Sequence, residues 1–167
     1  MPRYSKCYDM TDVQALIAKM IERWQSQSIP ISPGVNQSEL AVFESRYGVR
    51  LPADMREFFT TINGMGDFFD EEYFFRFWPL DQMRSVDEYQ ADIIAAVPAS
   101  KGYYVFFDHS IEIFLYAIRL SESAAAPTPV AIVYPGARDF TPSFEAVFDS
   151  FTKFIEAYVE NPSGLFN

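Results

Sequence analysis

Cysteine and histidine are almost missing from this chain, which has one of each, Cys7 and His109, in 167 residues. A single cysteine excludes an internal disulfide and fits a reducing compartment. One Cys and one His cannot supply the ligand sets of the common zinc sites. Any Ser-His-Asp or Cys-His catalytic constellation would have to use His109, yet Asp108-His109-Ser110 falls between two strand-like runs and reads as a turn. Cys7 lies near the start of the chain, with nothing close in sequence that would lower a thiol pKa. Basic residues are also scarce: 13 Lys and Arg stand against 23 Asp and Glu, a net charge of −10, and they form no cluster. Phosphate backbones need cationic partners, so nucleic acid is not an expected ligand. No apolar run reaches the roughly 20 residues that cross a bilayer, and the opening M-P-R-Y-S-K-C-Y-D lacks the apolar core of a signal peptide. The expectation is a soluble, cytoplasmic protein with no membrane contact.

Other chemistry is equally thin. Gly64-Met65-Gly66 is not followed by the Lys-Ser/Thr pair that closes a phosphate-binding loop. Asp67, Asp70, Glu71 and Glu72 do not follow the alternating spacing of a calcium-binding EF-hand loop. No carboxylate pair stands out as a general acid and base. The reading is therefore a chain with no catalytic residue, no metal and no cofactor.

What is present in quantity is apolar and aromatic. Hydrophobic residues make up 49% of the chain, including 17 Phe and 10 Tyr, too much for a disordered segment and enough for one well-packed domain. Charge is unevenly spread. Residues 1–50 carry six basic and five acidic side chains, residues 51–90 three and nine, and residues 91–167 four and nine, giving nets of +1, −6 and −5. An acidic surface steers basic protein partners toward itself.

Along the chain, residues 12–24 show a helical stripe of Val13, Leu16, Ile17, Met20, Ile21 and Trp24, with Thr11 and Gln14 spaced as a capping box. A Pro-rich extended linker covers 29–34, and residues 1–35 form this N-terminal helix and linker. Asn36 and Glu39 then cap a helix that carries Phe43 and Tyr47 one turn apart. Gly48 ends it, because glycine takes the left-handed conformation without steric penalty. Leu51-Pro52 opens a second helix with Met55, Phe58, Phe59 and Ile62 at helical spacing, and Asn63-Gly64 closes the hairpin, Gly64 with a positive φ. An acidic, aromatic loop follows at 66–72. Residues 73–78 read as a strand ended by Pro79, and 81–90 as helix-like with Met83, Val86 and Tyr89 on one side. Strands are expected at 103–107, 113–118 and 130–134, with a soft loop at 121–129. Residues 144–148 fit either periodicity, but Asp149-Ser150 is a good N-cap pair, favouring strand before it and helix over 151–160 after it. No internal repeat or domain boundary is visible.

The spacing E-x-x-Y-G-x-x-L-P-x-D-x-x-x-F-x-x-x-N-G, carried by Glu44, Tyr47, Gly48, Leu51, Pro52, Asp54, Phe58, Asn63 and Gly64, resembles the SUKH superfamily of bacterial immunity proteins and fungal cell-wall-synthesis regulators. The run F-R-F-W-P-L at 75–80 and D-S-F-T-K-F-I at 149–155 are similar to the family's later motifs, in the same order, so the likeness spans about residues 36–160. It tips 144–148 to strand. It implies a single SUKH-like domain over 1–167 with an α+β fold: a mostly antiparallel twisted sheet covered by helices, with an N-terminal helical hairpin and a C-terminal helix. Phe43, Tyr47, Phe58, Ile62, Phe151 and Phe154 are expected in the core.

The resemblance also implies a function without catalysis: an immunity protein that binds and neutralises a cognate bacterial toxin. The alternative is a regulatory protein-interaction module like the fungal branch, whose members carry added disordered segments. A compact chain of this length favours the immunity reading. The expected partner is a protein toxin with a basic contact face, met by Asp67, Asp70, Glu71, Glu72, Trp78 and Asp81 in the most acidic third of the chain.

Overall fold

The computed structural model describes residues 8–137 and 139–166; Cys7 lies outside them. Helix α1, Met10–Ser26, buries Val13, Leu16, Ile17, Met20 and Trp24 as its stripe requires. Its cap differs from the sequence expectation: Asp9, not Thr11, is the N-cap, in a capping box with Asp12, so the helix starts a turn-fraction earlier. A carboxylate at that position meets the positive end of the helix as well as the orphan N–H groups. Helix α2, Gln37–Tyr47, starts at the Asn36–Glu39 capping box and stops at Gly48 in left-handed geometry. Helix α3, Ala53–Thr61, follows Pro52 as N-cap.

The sheet is antiparallel throughout. Its strands are β1 (Phe75–Phe77), β2 (Arg84–Ser85), β3 (Tyr103–His109), β4 (Phe114–Arg119), β5 (Val130–Tyr134) and β6 (Ser143–Phe148). The order is β1-β3-β4-β5-β6, and β2 lies beside β3 further along the edge that β1 uses. A register shift between Val105 and Phe107 separates the two pairings on β3 and their partners on β4. Helix α6, Phe151–Glu160, closes the fold with Ser150 as N-cap.

Alternation along the strands divides the core in two. One face of β4 places Phe114, Tyr116 and Ile118 in the large core with α1, α2, α3 and α6, while Leu115 and Ala117 face a smaller core with Trp78, Val86 and Ile93. The smaller core is roofed by α4, Val86–Tyr89, and α5, Ala91–Ala96. Helices therefore cover both faces of the sheet. The six side chains expected in the core are there: all are buried except Tyr47, which packs half-buried against Phe43 and Tyr104.

Two local expectations change. The segment 81–90 is not one helix: it is a 3-10 turn at Leu80–Gln82, the short strand β2, and then α4. Pairing of Arg84 and Ser85 with β3 satisfies backbone groups that a continuous helix would have kept for itself. Helix α5 had no separate signal in the sequence. The strand expected over 73–78 shrinks to β1 because a tight turn occupies 70–74: Phe74 N–H donates to Asp70 C=O (2.6 Å), and Phe74 sits at φ 59°. Among the described residues no helix is long and apolar enough to cross a membrane.

Candidate functional site

The polar residues of the hairpin motif hold elements together. Glu44 is buried; it accepts the Leu51 N–H at 2.8 Å and pairs with Arg56, fixing the bend between α2 and α3. Asp54 reaches from α3 to the start of α6, accepting Thr152 N–H at 2.9 Å and its hydroxyl at 2.7 Å. Asn63 accepts Leu80 N–H at 2.8 Å, so the end of the hairpin pins the 3-10 turn. Gly64 has φ 68°, and a Cβ there would meet the Trp78 carbonyl and Pro79 nitrogen at 2.7 Å. These residues tie the scaffold together.

The six residues expected to meet a partner separate into two kinds. Asp70 and Trp78 are buried, at 0% and 1% exposure, and that part of the expectation is corrected. Asp70 accepts from Arg23 Nε (2.7 Å), Gln27 Nε2 (3.1 Å), the Tyr158 hydroxyl (3.0 Å) and the N–H groups of Glu72 and Tyr73. It locks the acidic loop to α1 and α6. Burial alone would raise its pKa, but the Arg23 guanidinium and the other donors outweigh that and hold it below the usual carboxylate value. Trp78 lies in the smaller core and donates its indole N–H to Asp108 at 2.5 Å. A carboxylate in an acidic loop and an indole just after it look like contact residues until the fold supplies their partners.

Asp67, Glu71, Glu72 and Asp81 are exposed. Glu72 pairs with Arg23 at 3.1 Å from solvent, and Glu71 donates its N–H to Gln27. Asp81 stands in a neighbouring groove with Arg46 and Arg84. Asp67 borders a cleft of about 440 Å³ between the acidic loop and the β3–β4 turn. Phe69 and Phe74 line it from the loop, their rings 6.0 Å apart and 26° from parallel. Ile111 and Glu112 line it from the turn. Among the described residues, the one buried lining residue is Asp108, ion-paired at 2.9 Å with the half-buried Arg76. Glu112 accepts the Tyr89 hydroxyl at 2.8 Å; burial and this carboxylate push the Tyr89 phenol up, so it stays a donor.

Sequence reasoning missed Phe69, Phe74, Ile111 and Glu112. The available signal was an isoleucine at the tip of a turn and two Phe pairs bracketing a run of acids. Asp108 and His109 end β3 instead of forming the turn, which falls at 110–112, where Ser110, Ile111 and Glu112 all have positive φ (50°, 58° and 66°). His109 stacks between Phe114 and Phe166, at 4.6 and 5.2 Å. Its Nε2 is 3.3 Å from Ser110 Oγ, and among the described residues its buried Nδ1 has no hydrogen-bond partner, so none of them supplies the carboxylate that orients the ring in a triad. Burial lowers its pKa. Among the described residues no group of His, Cys, Asp and Glu is placed to hold a metal.

Compared with known proteins, residues 34–157 match the model of the SMI1/KNR4 family (SUKH-1). No curated protein matches the chain.

Proposed function

The chain belongs to the SMI1/KNR4 family (SUKH-1), and from that membership we propose that it is a non-catalytic immunity protein, which binds a cognate bacterial toxin and neutralises it by occupying its working surface. The observation that carries this reading is the acidic loop at 66–72, where Asp67, Glu71 and Glu72 face solvent on a frame fixed by Asp70. A rigid acidic surface with aromatic neighbours suits a partner with a basic contact face. Steering by such charges raises the association rate, and aromatic anchors supply the central energy. Neutralisation by steric capture needs no nucleophile and no metal.

The test begins with the neighbouring coding sequence, expected to encode a large secreted protein ending in a variable toxin domain. Expressed alone in a susceptible cell, that toxin domain should arrest growth, and co-expression of this chain should restore it through a complex that survives gel filtration. Growth arrest unrelieved by the chain, with no complex formed, would reject the proposal.

A further inference from the structure

Resting on that reading of a protein-binding function, we propose that the cleft between the acidic loop and the β3–β4 turn is a socket for an arginine side chain that the partner presents beside an apolar residue. Among the described residues its lining carries the carboxylates of Asp67, Asp108 and Glu112 and the guanidinium of Arg76. Arg76 and Asp108 satisfy one another at 2.9 Å, so among the described residues the uncompensated charge of the cleft belongs to Asp67 and Glu112. The apolar part of the lining is as distinctive. Phe69 and Phe74 are 42% and 52% exposed, and Ile111 is 91% exposed. Large apolar groups gathered at an acid-rimmed cleft mark a contact site. A planar guanidinium stacks on an aromatic face and bonds carboxylates bidentately with its edge, whereas a lysine ammonium has no plane to stack and acts as a point charge. At about 440 Å³ the cleft has room for such a side chain and the apolar neighbour beside it.

The turn supports the same conclusion. Ile111 is β-branched, at φ 58°, and held there by Ser110 N–H to Phe74 C=O (2.9 Å) and Ile113 N–H to His109 C=O (3.0 Å). A left-handed β-branched residue is strained, and at 91% exposure it gains almost no burial in return. Folding alone would favour glycine or asparagine at this position. A second copy of this chain is the wrong occupant, since each copy carries a net −10 and the same acids at the rim.

The experiment uses the ¹⁵N-labelled full chain titrated with acetyl-arginine amide and, separately, with acetyl-citrulline amide, its uncharged counterpart. Saturable shifts confined to the amides of 66–76 and 108–113, at least tenfold weaker with citrulline, are the expected result. Ile111→Gly and Asp67→Asn should each weaken the response severalfold, and Ile111→Gly should leave the melting temperature equal or higher. Shifts scattered over all acidic residues, an equal response to citrulline, or concentration-dependent dimerisation abolished by Ile111→Gly would each overturn the socket. The two readings fail separately. Protection from the neighbour-encoded toxin with an unresponsive cleft leaves the immunity reading without the socket; a saturable cleft in a chain that gives no protection leaves the socket without the immunity reading.

Discussion

Asp70 is where a single side chain decides most. Its carboxylate gathers donors from α1, α6 and its own loop while having no solvent exposure. Because its pKa is held below the usual value, it stabilises the fold above the unfolded value of about 3.9, and that stability is lost as pH falls through the lower folded value. Asp70→Asn should cost about 3 kcal/mol at neutral pH by urea denaturation, the scale for breaking a buried ion pair. The variant should also show a flatter loss of stability than the parent as pH drops below about 4. Identical slopes for the two proteins would mean the pair contributes nothing to acid sensitivity. Glycine makes a second comparison. Gly48 (φ 65°) and Gly64 (φ 68°) both need left-handed geometry, but an added Cβ meets nothing at Gly48 and meets backbone at 2.7 Å at Gly64. Gly48→Ala should cost about 1 kcal/mol, and Gly64→Ala clearly more. The reverse order in denaturation midpoints would contradict the close approach to Trp78 and Pro79.

At the level of elements, the hairpin motif works as a set of ties. Glu44 sets the α2–α3 bend, Asp54 docks α6 and Asn63 pins the Leu80–Gln82 turn. Asp54→Ala leaves Thr152 N–H, at the first turn of α6, without its acceptor. The expected loss is about 1–2 kcal/mol, with earlier hydrogen exchange at the start of α6 than in β4. Exchange at α6 unchanged from the parent would show that Ser150 alone holds that terminus. The same logic explains what local pattern could and could not reveal. Helices α1, α2, α3 and α6 were legible because each carries apolar residues at helical spacing, with start signals at Asn36 for α2, Pro52 for α3 and Ser150 for α6. The segment 81–90 was not, since its helical spacing loses to pairing of Arg84 and Ser85 with β3, partners some 20 residues on.

At the scale of the whole molecule, charge and shape act together. With a net −10, encounter with a basic partner should slow as salt rises, because steering is screened beyond about 8 Å at physiological ionic strength. The charge reversal Asp67→Lys with Glu71→Lys should lower the association rate with the proposed toxin partner on the order of tenfold or more at low salt, with little change in melting temperature. Stopped-flow rates unaffected by both the variant and salt would confine these acids to solubility. Asp70 is excluded from that variant, since a lysine there would meet Arg23 inside the protein. The sequence by itself determined the family, the α+β class, the long helices and the acidic character, because these reside in spacing, composition and charge count. Only the tertiary structure decided which acids face solvent. It buried Asp70 and Trp78, and it brought Asp67 to Ile111 and Glu112 across β1 and β3 to form one cleft. Burial and juxtaposition depend on which segments pack together, and residues some 45 apart in the chain carry no local record of meeting.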